Sequence, residues 1–364
     1  MTKFMNARRH RRQLLTTVSV AALFGSIYGA DASDADRPPL WVELGWQYAR
    51  IGGGQELFAP PFVSAVTQAG FTSPLSVQNV LGYSYGGEGM ISFEPQGSDW
   101  IFSASVRYGR AHGRKSIHTQ NPEVPVKVHL GSLSTTVTPT IVDLSNSQAS
   151  NAETYAIADF QAGKDVGLGM FGHGGVSQVS FGVRYAQFHS RANSAINALP
   201  DFYVPTNLKY ALHHHIYKAE AGSTRSFNGL GPSAAWTASL PMAGNLEDGE
   251  VSFDWGANAA LLFGRQKTRT HHHTTGRYYY AKLFNKYQTH YQHSPAPQTR
   301  SRNVTVPNIG GFAGLSLQWT NAKLSLGYRA DYFFGALDGG IDTRKSTSRS
   351  FVGPFASISV GLGD

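Results

Sequence analysis

Over much of this chain, apolar and polar residues alternate with a period of two. The stretch LSLGYRADYFFG (324–335) puts Leu324, Leu326, Tyr328, Ala330, Tyr332 and Phe334 on one face. Ser325, Gly327, Arg329, Asp331 and Phe333 fall on the other. VELGWQYA (42–49), WIFSASVRYG (100–109), VSFGVRYA (179–186) and VSFDWGANAALLF (251–263) repeat the pattern. Alternation sustained over eight or more residues predicts strands with two unlike faces. Weaker segments fill the gaps: EGMISFE (88–94), TYAIADFQAG (154–163), GPSAAWTASL (231–240), IGGFAGLSLQW (309–319) and GPFASISVGL (353–362). Together they predict about ten strands. Pro307 and Pro354 are expected at strand starts, where a missing donor is tolerated.

The connections between these segments alternate in length. Residues 50–87, 111–153, 190–228 and 265–308 are long, polar and rich in Gly, His, Pro and Ser. PQGSD (95–99) and TNA (320–322) are tight turns, 164–177 and 241–250 are moderate, and 336–350 is intermediate. Short turns on one rim and long loops on the other are the pattern of an antiparallel up-and-down transmembrane β-barrel, with periplasmic turns and extracellular loops. VKVHLGSLSTTVTPTIVDL (126–144) is itself rich in β-formers, so twelve strands stand as an alternative. After residue 33 no apolar run reaches the length of a membrane-spanning helix. A membrane-spanning form of this chain is therefore a closed barrel.

Period two alone does not say which face meets protein. A soluble sandwich buries the apolar face; a membrane barrel turns it to lipid. The aromatic residues favour lipid. Trp41, Trp100 and Trp319 fall at the short-turn rim, and Tyr48, Tyr108, Tyr332 and Phe334 near the long-loop rim. Two such belts suit the headgroup levels of a bilayer. The polar face then lines the lumen, and the pore-lining set by parity is Glu43, Arg107, Asp159, Arg184, Asp254, Arg329 and Asp331. Two expectations follow for these charges. They line a narrow aqueous path and set its selectivity, or they form an ion-pair lattice that plugs the barrel.

The N-terminus changes the meaning of the charge. Formal charge is +8, but MTKFMNARRHRRQ is basic, LLTTVSVAALFGSIYG apolar, and Ala30-Asp31-Ala32 offers small residues for cleavage. Residues 1–32 are thus expected to be a cleaved signal peptide, leaving 33–364 as one barrel domain in a bacterial outer membrane. A retained anchor is disfavoured because the apolar run is short for a spanning helix. Cleavage after Ala32 takes Lys+Arg from 31 to 26 and Asp+Glu from 23 to 22, so the mature charge is +4. That is too weak to argue for a nucleic-acid partner. There is no Cys, which excludes disulfides and thiolate metal sites.

Candidate chemistry is sparse. His213–His215 and His271–His273, with His290 and His293, contain metal-ligating side chains. Successive loop histidines seldom converge on one ion, and no metal or cofactor is expected. RTHHHTTGRYYYAKLFNKYQTHYQ (269–292) mixes Arg, Lys and Tyr and reads as a basic exposed loop or a contact for lipopolysaccharide phosphates. Gly52, Gly53 and Gly54 read as a turn, since no Lys-Ser/Thr follows to hold phosphate. No G-x-S-x-G elbow or spaced triad appears, so an enzyme is not expected.

The blocks DFQAGKDV (159–166), SFGVRYAQF (180–188), SFNGLGPSAAW (226–236), ALLFGRQ (260–266), GYRADYFFGALDGG (327–340) and FVGPFASISVGLG (351–363) occur in a telling order. In that order they resemble the pore-forming outer-membrane proteins typified by the Legionella major outer membrane protein. The resemblance covers most of the chain from about 155 onward. It implies an exported β-barrel passing small hydrophilic solutes or ions, with outer-membrane lipid and lipopolysaccharide as neighbours. It implies no catalytic residues. The chain departs from such barrels in ending VGLGD rather than on an aromatic residue, which weakens the assembly signal and not the fold. A structural or adhesive barrel whose long loops bind a surface partner is the alternative, and a homo-oligomer is compatible with either.

Overall fold

The computed structural model describes residues 38–52, 82–95, 97–98, 100–120, 126–130, 133–137, 144–166, 176–199, 210–282 and 285–363. All lie in one compact unit, Asp36–Asp364. The expected leader at 1–32, Gly53 and Gly54 fall outside these residues.

The described chain is all β. In order come β1 (Leu40–Gly52), β2 (Tyr83–Phe93), β3 (Trp100–Gln120), β4 (Val126–Leu130), β5 (Leu133–Val137), β6 (Leu144–Asp165) and β7 (Val176–Leu199). Then follow β8 (Tyr210–Asn245), β9 (Gly249–Lys282), β10 (Asn285–His293), β11 (Gln298–Gln318), β12 (Ala322–Asp338) and β13 (Ser346–Leu362). Ten of them pair antiparallel in the order β1-β2-β3-β6-β7-β8-β9-β11-β12-β13. The ring closes where β13 pairs with β1, from Leu40↔Leu362 to Gly52↔Ser350. Closure gives each of the ten wall strands a partner on both sides. No described helix is long and apolar enough to cross a membrane.

All ten alternating segments are wall strands. The twelve-strand alternative fails, because β4 and β5 pair only with each other, in a separate two-stranded sheet. The long-loop assignments also need correction. Most of 111–120, 144–153, 190–199, 210–228 and 265–282 is strand. There both faces are polar, so alternation fades in the sequence while the ladder continues. β8 and β9 pair in this way from Tyr210↔Lys282 down to Asn245↔Gly249. For the same reason Pro307 and Pro354 lie within β11 and β13, opposite Leu261 and Tyr328, rather than at strand starts. Each forgoes one ladder hydrogen bond.

The exterior is apolar in a band at the short-turn half of the barrel. Leu44, Phe102, Phe181, Leu261, Leu315, Leu326 and Ile358 are all exposed there. From Trp100 to Tyr108 the wall climbs roughly 20 Å, at ~3.3 Å per residue and a tilt of ~40°. An apolar surface of this extent in water would drive aggregation; hydrocarbon removes that cost.

Candidate functional site

The alternation that turns apolar residues outward sends the intervening residues into the lumen, where they form successive layers. Near the short-turn rim, Lys323 Nζ lies 2.7 Å from Asp254 Oδ2, and Ser239 donates to the other Asp254 oxygen at 2.6 Å. Ser359 donates to Glu43 at 3.0 Å. One level up, Arg329 pairs with Glu88 across from β12 to β2. The Arg329 guanidinium also stands 4.8 Å over the Phe355 ring and 5.9 Å from that of Phe312. A cation over an aromatic face is stabilised when water is scarce.

The next layer joins opposite walls. Arg107 Nη1 on β3 donates to Asp331 Oδ2 on β12 at 2.6 Å. Arg184 holds Asp159 with Nε and Nη2, at 2.6 and 3.0 Å. Its Nη1 reaches Asn258 on β9 at 2.6 Å and also Asn308 on β11. Only a planar guanidinium offers donors in so many directions at once. Thus all seven residues assigned to the lumen by parity line it. They are joined by Glu88, Asn258, Asn308 and Lys323, whose pairing partners come from strands far away in sequence.

Above the ion pairs sits an aromatic layer. Phe188 on β7 packs against Phe227 on β8, Phe333 on β12 and Phe351 on β13, with centroids 5.8, 4.8 and 5.5 Å apart. Tyr155 on β6 meets Phe351 at 4.2 Å. β7 and β13 stand on opposite sides of the ring, so these contacts cross the bore and close it at this level. Tyr155 fills the place that a side chain at Gly109 would occupy; an added Cβ there would lie 2.5 Å from its ring. Ile51, Ile157, Leu262 and Val306 complete this inward apolar layer. Just beyond it, Arg349 Nε donates to Glu153 at 2.8 Å, and both side chains are fully buried.

The β12–β13 connection closes the long-loop end. Gly335 turns the chain inward with φ of 65°, a conformation natural to glycine. Ala336, Leu337, Asp338 and Ile341 are then buried. The main-chain carbonyls of this segment accept from inward-facing side chains of the taller strands: Gln266 to Gly335 at 2.6 Å, Thr270 to Ile341 at 3.0 Å and Arg225 to Gly339 at 3.2 Å. Arg300 on β11 donates to Ile341, Gly340 and the Asp338 carboxylate at 2.6, 2.8 and 3.1 Å. His272 Nε2 lies 2.8 Å from Asp342 Oδ1. A surface loop would bond to water; this one is bonded to the wall.

The aromatics assigned to the interfaces are mostly outward. Trp100, Tyr108, Tyr332 and Phe334 are exposed on the lipid face. Tyr48 stacks on Tyr83 at 4.6 Å and meets Tyr85 at 5.0 Å, and Trp319 ends the outward register of β11. Trp41 is a correction: it shares the register of Glu43 and Gln47, and its half-buried ring lies beside Gly361 at the mouth. The histidine tract 271–273 is also divided by the strand. His272 points inward, whereas His271 and His273 point out. Among the described residues no group of three or more His, Asp or Glu side chains is placed to hold a metal ion.

No family model and no curated protein matches the chain. Among solved structures it is similar to the translocator domain of the autotransporter NalP from Neisseria meningitidis, at 12% identity over 90% of each chain, with a TM-score of 0.24. It is also similar to the CymD monoaromatic hydrocarbon channel, at 10% identity over 90% of each chain and a TM-score of 0.22. TodX, another monoaromatic hydrocarbon channel, matches at 11% identity over 90% of this chain and 91% of its own, again with a TM-score of 0.22. Superposition this loose adds nothing to a fold defined by its own strand pairings, and it says nothing of a solute.

Proposed function

We propose that the chain is a pore-forming barrel of the bacterial outer membrane, passing small hydrophilic solutes or ions, with the β12–β13 connection as its gate. The apolar band, the ionic lumen and the expected leader support the location. The resemblance to pore-forming outer-membrane proteins supports the activity. The carrying observation is the connection after Asp338, whose Gly339, Gly340 and Ile341 carbonyls accept from Arg225, Arg300 and Thr270 of the wall. A wall strand cannot leave its ladder, because its N–H and C=O groups would be orphaned in hydrocarbon. The connection can leave: Arg225, Thr270 and Arg300 would exchange its carbonyls for water. Phe333 and Phe351 belong to the two strands that the connection joins, so its withdrawal loosens the aromatic layer first.

Planar-bilayer conductance tests this reading. Wild-type protein is expected to open rarely. Deletion of residues 339–345, or Arg300→Gln, is expected to raise open probability while the heat-modifiable barrel persists. A deleted protein that inserts and stays silent overturns it.

The second reading is a structural or adhesive barrel. It is favoured by one observation: strand residues alone close the bore, through Phe188, Phe227 and Phe351 and the fully buried Arg349–Glu153 pair. Liposome swelling separates the two, since a structural barrel passes no solute under any gating condition.

A further inference from the structure

Beyond the apolar band, the exterior changes character abruptly on alternate strands. β3 carries Arg110, His112 and Arg114 outward, β7 carries His189 and Arg191, and β9 carries Arg265, Lys267 and Arg269, all exposed. Strand register sets them in rows. One runs Arg110↔Thr154↔His189↔Ser226↔Lys267; the next runs His112↔Ala152↔Arg191↔Thr224↔Arg269. The strands between, β6 and β8, present short side chains. The wall therefore forms two external troughs with basic sides and a floor of Ser150, Ala152 and Thr154 in the first. A cavity of about 280 Å³ lies in that first trough, with His112, Arg114, Ala152, Arg191 and Asn193 in its lining.

Two further facts point to a ligand. Among the described residues, Arg114, Arg191, Lys267 and Arg269 have no carboxylate partner, although Glu220 stands on the same face. Arg110 and Arg265 are held only by neutral oxygens, of Tyr108 at 2.6 Å and Ser301 at 2.7 Å. The trough also runs on without a break into the apolar band. Below Thr154 its floor is Ala156 and Ala158, between Tyr108 and Val106 on one side and Gln187 and Tyr185 on the other. An acyl chain fits the lower half and an anionic headgroup the upper half.

We propose that the trough over β6 binds a phosphorylated lipid of the outer leaflet, its phosphate between Arg110, Arg114 and Arg191 and its chain along Ala156 and Ala158. This rests on the membrane-barrel reading given above. Guanidinium groups pair with phosphate through parallel hydrogen bonds. Charges placed at the edge of the hydrocarbon sit where headgroup phosphates lie. A soluble polyanion would use the basic rows but has no need of the apolar floor, so the continuity of the two selects a lipid.

The test uses full-length protein in mild detergent micelles, titrated with a bisphosphorylated acylated glucosamine disaccharide and with its dephosphorylated form. The control variant is Arg50→Gln, an exposed arginine on β1 away from the trough. The triple variant Arg110→Gln/Arg114→Gln/Arg191→Gln is expected to lose tenfold to about a hundredfold in affinity for the phosphorylated lipid. The control is expected to match wild type, and the dephosphorylated lipid to bind wild type as weakly as the triple variant binds the intact one. The bulky variant Ala156→Trp is expected to weaken binding with the basic residues intact. Unchanged affinity in the triple variant, or equal binding of the dephosphorylated lipid, overturns the proposal. Displacement by millimolar inorganic phosphate or heparin, with Ala156→Trp unaffected, marks a soluble anion site and also overturns it. Flotation with liposomes is scored separately. Wild-type protein that fails to float removes the membrane reading itself, whereas floating protein with an unaltered triple variant removes only the lipid site.

Discussion

Arg107 and Asp331 meet across the lumen, 2.6 Å apart, the carboxylate wholly buried and the arginine nearly so. They belong to β3 and β12, more than two hundred residues apart in the chain. A pair so enclosed has lost its hydration, and each partner depends on the other.

Asp331→Ala should therefore be far worse than removal of both charges. It leaves a buried guanidinium unpaired, for a loss of about 3–5 kcal/mol. Replacing the pair by Arg107→Met/Asp331→Leu should bring most of that back. Urea unfolding in detergent micelles checks the ordering. Equal losses in the single and double variants would mean that the pair is hydrated.

The rim pair Lys323–Asp254 is a useful contrast. Its side chains keep 25% and 14% of their exposure. Lys323→Gln should cost under ~1 kcal/mol, and salt should erase the difference. Arg349→Gln, whose partner Glu153 is fully buried, should show no such salt dependence.

Phe188 touches three other rings, so Phe188→Ala should open a void in the aromatic layer. Losses of about 3–5 kcal/mol accompany such truncations in packed interiors. Phe188→Leu should restore much of the stability. The unfolding midpoint in urea reports both.

On the outside, Leu326→Arg should destabilise by about 2–4 kcal/mol, the cost of an arginine on the lipid face near mid-membrane. Asn228→Arg, also outward but beyond the apolar band, should be close to neutral. The reverse order would place the bilayer elsewhere on the barrel.

The wall is legible from alternation, and its inside–outside sense from alternation together with the aromatic belts. Arg329, Asp331 and even Phe333 fall in one register of LSLGYRADYFFG, and that register is the lumen. What could not be read is the partnership. Arg329 with Glu88 and Arg349 with Glu153 join strands distant in sequence, and local pattern carries no such information. The aromatic layer was hidden for a related reason. Phe188 and Phe351 are inward by parity, yet an apolar residue among polar neighbours looks like noise until opposite walls are brought together. The upper halves of β8 and β9 escaped because both faces are polar there, which removes the contrast that marks a strand. The inward fold of Gly335–Asp342 left one trace, a run of small residues in GALDGG where other loops carry histidine and serine.

The central claim is that the apolar face of each strand meets lipid and the ionic face meets the bore. Bilayer-depth quenching of a fluorophore tests it most directly, on single cysteines introduced by Leu326→Cys and Ser325→Cys in this cysteine-free chain. Brominated acyl chains should quench the label at 326 strongly and the label at 325 hardly at all. Quenching at 325 with none at 326 would turn the barrel inside out and contradict the account.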